Sequence, residues 1–192
     1  LKAMGKQLES ELAPVIMWAI HTTADFDYAD HLKFSEHAVE KAREAIKNGG
    51  VIITDTKRGW SGVNKKRLES YGGEALCFMA DEDVAAEAKE KGSTRAVASM
   101  DKAAKLFGGG ERPCIFAIGN APTALIRLYE LIREGKIKPA LIIGAPVGFV
   151  NVIQSKELIL SLKDTPYIVA EGRKGGSNVA AAIFNALLYG IK

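Results

Sequence analysis

From residue 51 to its end the chain alternates short, unbroken apolar runs with segments of helical spacing. The apolar runs are Val51 to Thr54, Ala75 to Ala80, Cys114 to Ile118, Ala140 to Ile143 and Tyr167 to Ala170. Runs this short, apolar throughout and separated by helices, fit the strands of a parallel sheet covered on both faces. The spacing predicts helices over Pro14 to Thr22, from a Ser35 cap to Lys47, and over Asn64 to Tyr71, Val84 to Lys91 and Thr94 to Phe107. Three more are predicted over Ala121 to Glu134, Gln154 to Leu162 and Ser177 to Tyr189. The expected architecture is a three-layer α/β domain with a mainly parallel sheet of about five strands. A single core grows to roughly 250 residues before chains divide, so 1–192 is read as one domain.

Three of the apolar runs lead into glycine-rich loops: Gly119 to Thr123, Pro146 to Val150 and Gly172 to Asn178. In a parallel sheet, loops at the carboxyl ends of strands share one edge, and open α/β sheets bind ligands there. One crevice built from all three loops is therefore expected.

Charge narrows the partners. The net charge is +3, and the densest basic cluster, Lys65-Lys66-Arg67, is short. Nucleic-acid surfaces need a larger basic stripe, so no nucleic-acid partner is expected, while small anionic ligands fit. Cys77 and Cys114 both sit inside apolar runs, without a CxxC pattern. They read as buried free thiols in a cytoplasmic protein. No two of the three histidines have the spacing of metal ligands, so no metal site is expected. Glu9 and Glu11 flank the brief run Val15 to Ile20, which argues against a signal peptide. The longest apolar stretch, Ala140 to Ile153, is broken by Gly144, Pro146, Gly148 and Asn151. A spanning helix needs about 20 apolar residues, so no membrane segment is expected.

Several residues carry candidate chemistry. His21 ends the first predicted helix, where the helix dipole favours a protonated ring, and Asp25 follows four residues on. Two readings stand: a proton donor or acceptor oriented by Asp25, or a surface histidine capping a helix carbonyl. Arg95 follows Ser93 and Thr94 at a helix start, and is either an anion-binding group or an exposed first-turn arginine. Asn120 either caps the helix opened by Pro122 or turns its amide toward a ligand. Phe149 is either an apolar wall for a flat ligand or a loop plug. The segment Gly172 to Asn178 combines Arg173, Lys174, close-approach glycines and a helix start at Ser177, and is the best anion-site candidate. It is not a Walker loop, and no strand–helix junction carries GxGxxG. Cationic loops around an apolar wall suit a large ligand bearing several carboxylates.

Together these segments resemble the precorrin-8X methylmutase family of corrin biosynthesis. The resemblance is carried by Ile20 to Phe26, Thr54-Asp55, Thr94-Arg95, Gly119 to Leu125, Gly144 to Val150, Ser155-Lys156-Glu157 and Gly172 to Asn178. It implies a Rossmann-like subunit, usually a homodimer, that moves one methyl group from C-11 to C-12 of a tetrapyrrole macrocycle without a separate cofactor. The substrate is metal-free in the aerobic pathway and carries cobalt in the anaerobic one. The family's catalytic histidine falls on His21. The resemblance places Arg95, Arg173 and Lys174 on the acetate and propionate arms, and Thr22, Asp25, Asp55, Asn120, Thr123, Gly148, Phe149 and Ser177 at the substrate.

The sequence also departs from the family pattern. Lys57-Arg58-Gly59-Trp60-Ser61-Gly62 stands where an apolar pair followed by Ala-Gly is common, Gln154 replaces a glutamate, and the stretch before His21 is short. These departures keep a second reading in view, a diverged relative that binds tetrapyrroles without isomerising them. A third is a nucleotide- or phosphosugar-binding protein that shares the architecture alone.

Overall fold

β-branched residues dominate the first apolar run, and in the computed structural model, which describes residues 9–192, the apolar runs are strands. With one further strand, β1 (Leu32–Phe34), they form the sheet: β2 (Val51–Thr54), β3 (Glu74–Leu76), β4 (Cys114–Ile118), β5 (Leu141–Gly144) and β6 (Tyr167–Ala170). The sheet order is β1-β6-β5-β4-β2-β3. All neighbours pair in parallel except β1, which runs antiparallel to β6 with Leu32 opposite Ala170.

Ten helices are described: α1 (Ala13–Thr23), α2 (Tyr28–His31), α3 (Ala38–Lys47), α4 (Lys57–Gly62), α5 (Lys65–Glu69), α6 (Glu82–Glu90), α7 (Arg95–Phe107), α8 (Pro122–Arg133), α9 (Val152–Leu160) and α10 (Ser177–Tyr189). Side chains alternate across a strand, and this divides the core in two. Ile52, Ile115, Ala117, Ile143 and Ile168 face a layer containing α1, α3 and α10. Val51, Ile53, Phe116, Ile118 and Ile142 face a layer containing α6, α7, α8 and α9. The three-layer expectation holds, with a strongly parallel sheet.

The sheet has one strand more than expected. β1 spans three residues, Leu32-Lys33-Phe34, too few to show a period. Ser35 was expected to cap the next helix, but α3 begins at Ala38. Ser35 Oγ instead accepts from the Tyr167 amide at 2.8 Å, stitching the end of the edge strand to β6. β3 stops at Leu76, short of the predicted Ala80, and α9 opens at Val152, before the predicted Gln154.

β2 and β4 are neighbours although β3 lies between them in sequence. The chain leaves β2 for the sheet edge and returns on the other side as β4. The loops after these two strands diverge, and this is where a crevice opens in such sheets.

Candidate active site

Asp55 ends β2 at that point and is 1% exposed. Its carboxylate accepts from the backbone amides of Gly119 at 2.9 Å, Asn120 at 2.9 Å and Ala121 at 2.7 Å. These amides lead into α8, whose N-cap Ala121 has no side chain able to cap it. Burial raises the Asp55 pKa, and the three amides pull it back. Asp55 was expected to touch substrate. It is instead an internal anion filling the amide nest that a phosphate would need, so it shapes the loop from beneath. Asn120 is not the cap of α8, because Asp55 takes that role.

Above Asp55 lies an open crevice of about 300 Å³ lined by Thr22, Arg58, Asn120, Val147, Ser177 and Asn178, among others. It joins the end of α1, the start of α4, and the loops after β4, β5 and β6, as a shared rim predicts. The loops are in close contact. A Cβ on Gly119 would lie 2.5 Å from Ser177 Cα, and one on Gly175 would lie 2.1 Å from the Ala145 carbonyl oxygen. Only glycine permits both approaches. Ser177 Oγ and Thr56 Oγ1 share a 2.7 Å hydrogen bond across the crevice floor.

The two expected cations of the last loop are already engaged. Lys174 Nζ bonds Asp25 at 2.7 Å and Asp27 at 2.6 Å. The Lys174 ammonium holds the Asp25 carboxyl below the usual carboxylate range, and both acids raise the Lys174 pKa. Asp25, expected to orient His21, instead anchors the turn after α1 to the loop after β6. Its other oxygen accepts from the Asp27 amide at 3.0 Å. Arg173 donates to the Phe149 carbonyl at 2.8 Å, and its guanidinium carbon lies 5.4 Å from the Phe149 ring centre. The Gly148 amide donates back to the Arg173 carbonyl at 3.2 Å. Phe149 is 83% exposed, so it is no plug; it stands as an apolar face at the tip of its loop.

Beneath this loop sits a residue without an assigned role in the sequence reading. Lys156, 1% exposed on α9, donates to the carbonyls of Gly172 at 2.7 Å and Lys174 at 2.8 Å. Burial lowers its pKa to about 8.

His21 is exposed in the last turn of α1, one residue before the crevice-lining Thr22. Thr123 lines a neighbouring groove between α7 and α8, together with Ser93 and Val97. Arg95 is exposed at the start of α7, whose cap is Thr94, accepting from the Val97 amide at 3.2 Å. Thus Thr22, Asn120 and Ser177 share the crevice, and His21 adjoins it. Thr123 opens onto the adjacent groove, and Arg95 lines neither space. Cys77 and Cys114 are buried free thiols, and burial pushes Cys114 up to about 12. Among the described residues no group of three or more His, Cys, Asp or Glu could hold a metal ion, and no helix is long and apolar enough to cross a membrane.

The sequence model of precorrin-8X methylmutase matches residues 2–190. A cobalt-precorrin-8 methylmutase from Leptospira interrogans is 48% identical, over 91% of this chain and 80% of that one. The chain belongs to the precorrin-8X methylmutase family. A precorrin-8X methylmutase from Pseudomonas aeruginosa is 36% identical, over 94% of this chain and 85% of its own. The crystal structure of the Thermus thermophilus precorrin-8X methylmutase superposes with a TM-score of 0.87 at 38% identity, over 98% of this chain and 90% of that one.

A methylmutase moves a methyl group within one molecule, so the chain is an intramolecular transferase of cobalamin biosynthesis. Two features of this methylmutase escaped the sequence reading. Arg58 was visible only as charge where an apolar pair was expected. Lys156 lay inside the Ser155-Lys156-Glu157 block with nothing to indicate what it would hold.

Proposed function

We propose that the chain takes precorrin-8X or its cobalt form and moves the C-11 methyl to C-12, giving hydrogenobyrinic or cobyrinic acid. Relatives at 48%, 45% and 44% identity are all named for cobalt-precorrin-8, which supports the cobalt form. Substrate and product are isomers. The bond from C-11 to the methyl breaks as the bond from C-12 forms, and the ring double bonds shift to match. No co-reactant enters.

The protein must hold a wide ring so that one methyl bridges adjacent carbons, and supply one group that polarises the ring. His21 is that group, lending a proton or hydrogen bond to the macrocycle and taking it back. The observation that carries this reading is the position of His21, exposed beside Thr22 at the crevice mouth. Thr22, Asn120 and Ser177 contact the ring edge, Gly148 and Phe149 offer an apolar face, and Arg95 and Thr123 meet acid arms that reach past the crevice. Asp25 and Asp55 serve as struts.

A crevice of about 300 Å³ receives only part of a corrin ring. A second wall is needed, and a partner subunit supplies it. Large apolar side chains are available to pair, since Met17, Trp18 and Phe26 are exposed and Trp18 stacks on Tyr189 with ring centres 5.2 Å apart. We therefore read the molecule as a homodimer of single domains. Its buried free thiols suit the cytoplasm.

The test is turnover by a His21→Ala variant. Conversion of precorrin-8X, followed by absorbance, should vanish while the product still binds with native affinity. A His21→Ala variant that turns over normally refutes the assignment. Binding without conversion by the unaltered protein would favour the non-catalytic reading.

A further inference from the structure

Arg58 stands at the start of α4, exposed, with its side chain on the crevice. It makes no hydrogen bond or ion pair with any described residue. Its neighbours in charge are all occupied. Lys174 is divided between Asp25 and Asp27, and Arg173 is turned onto Phe149. Lys57 and Lys65 lie over the Trp60 ring, at 5.4 Å and 4.0 Å from its centre. Among the described residues no acidic side chain lines the crevice. The nearest internal acid, Asp55, already accepts from three amides beneath it. Among the described residues the crevice therefore holds one unspent cation, surrounded by neutral donors and acceptors from Thr22, Asn120, Ser177 and Asn178.

We propose that Arg58 reads one free carboxylate arm of the macrocycle and so selects the acid over its amide. This rests on the reading that the ligand is a polyacidic corrinoid. A guanidinium presents paired N–H groups that match a carboxylate in a two-bond fork. An amide in that position puts an NH₂ donor against donors, leaving a bond unmade. Arg58 is thus a specificity-determining residue, placed where the last loop's own cations are held back by internal partners.

The experiment compares the unaltered chain with Arg58→Gln and Arg58→Lys. Cobyrinic acid and the same ring with amidated arms serve as binding probes, followed by corrin absorbance, and precorrin-8X serves for turnover. A charged hydrogen bond of this kind corresponds to about tenfold to a hundredfold in affinity. Arg58→Gln should weaken cobyrinic acid by that factor and raise KM far more than it lowers kcat. Arg58→Lys should recover part of the loss, because it keeps the charge without the fork. The amidated ring should bind the unaltered chain and Arg58→Gln equally. Arg58 is exposed, so all variants should melt at the native temperature. If Arg58→Gln holds cobyrinic acid as tightly as the unaltered chain does, while that chain still turns over, the inference is wrong and the methylmutase reading stands. If the unaltered chain neither binds nor converts tetrapyrrole acids, the functional reading fails and takes the role of Arg58 with it.

Discussion

At the scale of single residues, position in the fold decides whether a charge serves a ligand or the protein. Asp25, Asp55, Arg173 and Lys174 all looked like ligand-binding groups in sequence. The fold gives each an internal partner. Asp55 shows the physical reason. A buried carboxylate is tolerated only where donors surround it, and the three amides before α8 are such donors. Asp55→Asn should destabilise the chain by about 1–3 kcal/mol, because an amide group then faces a donor it cannot satisfy. Urea unfolding checks this; an unchanged midpoint would mean that the nest closes without its anion. What sequence did place at this scale was the set of helix–loop junctions that carry His21, Asn120 and Ser177; Asn120 and Ser177 line the crevice and His21 adjoins it.

At the scale of elements, the loop after β6 is held in place from both sides. Lys156 of α9 grips its carbonyls from below, while the Lys174 side chain ties it to the turn after α1. The chain of contacts Lys156, loop, Lys174, Asp25 therefore fixes where α1 presents His21. The buried ammonium of Lys156 has a pKa near about 8, against 10.5 for an ordinary lysine. Between those values the unfolded chain binds the extra proton and the folded chain does not, so stability rises with pH across that window. An amine that has lost its proton still has two N–H groups, so both carbonyl bonds survive the titration. Lys156→Met should abolish the rise in stability between pH 8 and 10.5, measured by urea unfolding at several pH values. It should also slow turnover at pH 7, where the loop loses its support. A variant with native turnover and a native pH slope would show that Lys156 is idle. None of this was legible in the sequence, because Lys156 meets its partners only across the packed layer between α9 and β6.

At the scale of the whole molecule, the homodimer proposed above rests on exposed apolar surface. Met17, Trp18 and Tyr189 lie exposed on the layer of α1 and α10, and Phe149 and Val150 project near the crevice. Sedimentation equilibrium should give twice the 20.6 kDa chain mass. Trp18→Glu should shift the population toward monomer, since a carboxylate cannot be buried unpaired; a monomer at all concentrations in the unaltered chain would remove the proposed second wall. The sequence by itself determined the parallel sheet, its two helical layers and the rim on which the loops meet. These follow from the period of apolar residues and from glycines at strand ends, which are local properties of the chain. Only the tertiary structure decided the antiparallel edge strand β1, the capture of Lys174 and Asp55 by internal partners, and the isolation of Arg58. Those outcomes depend on which distant groups meet, and no local pattern encodes a meeting between residues 64 or 149 positions apart.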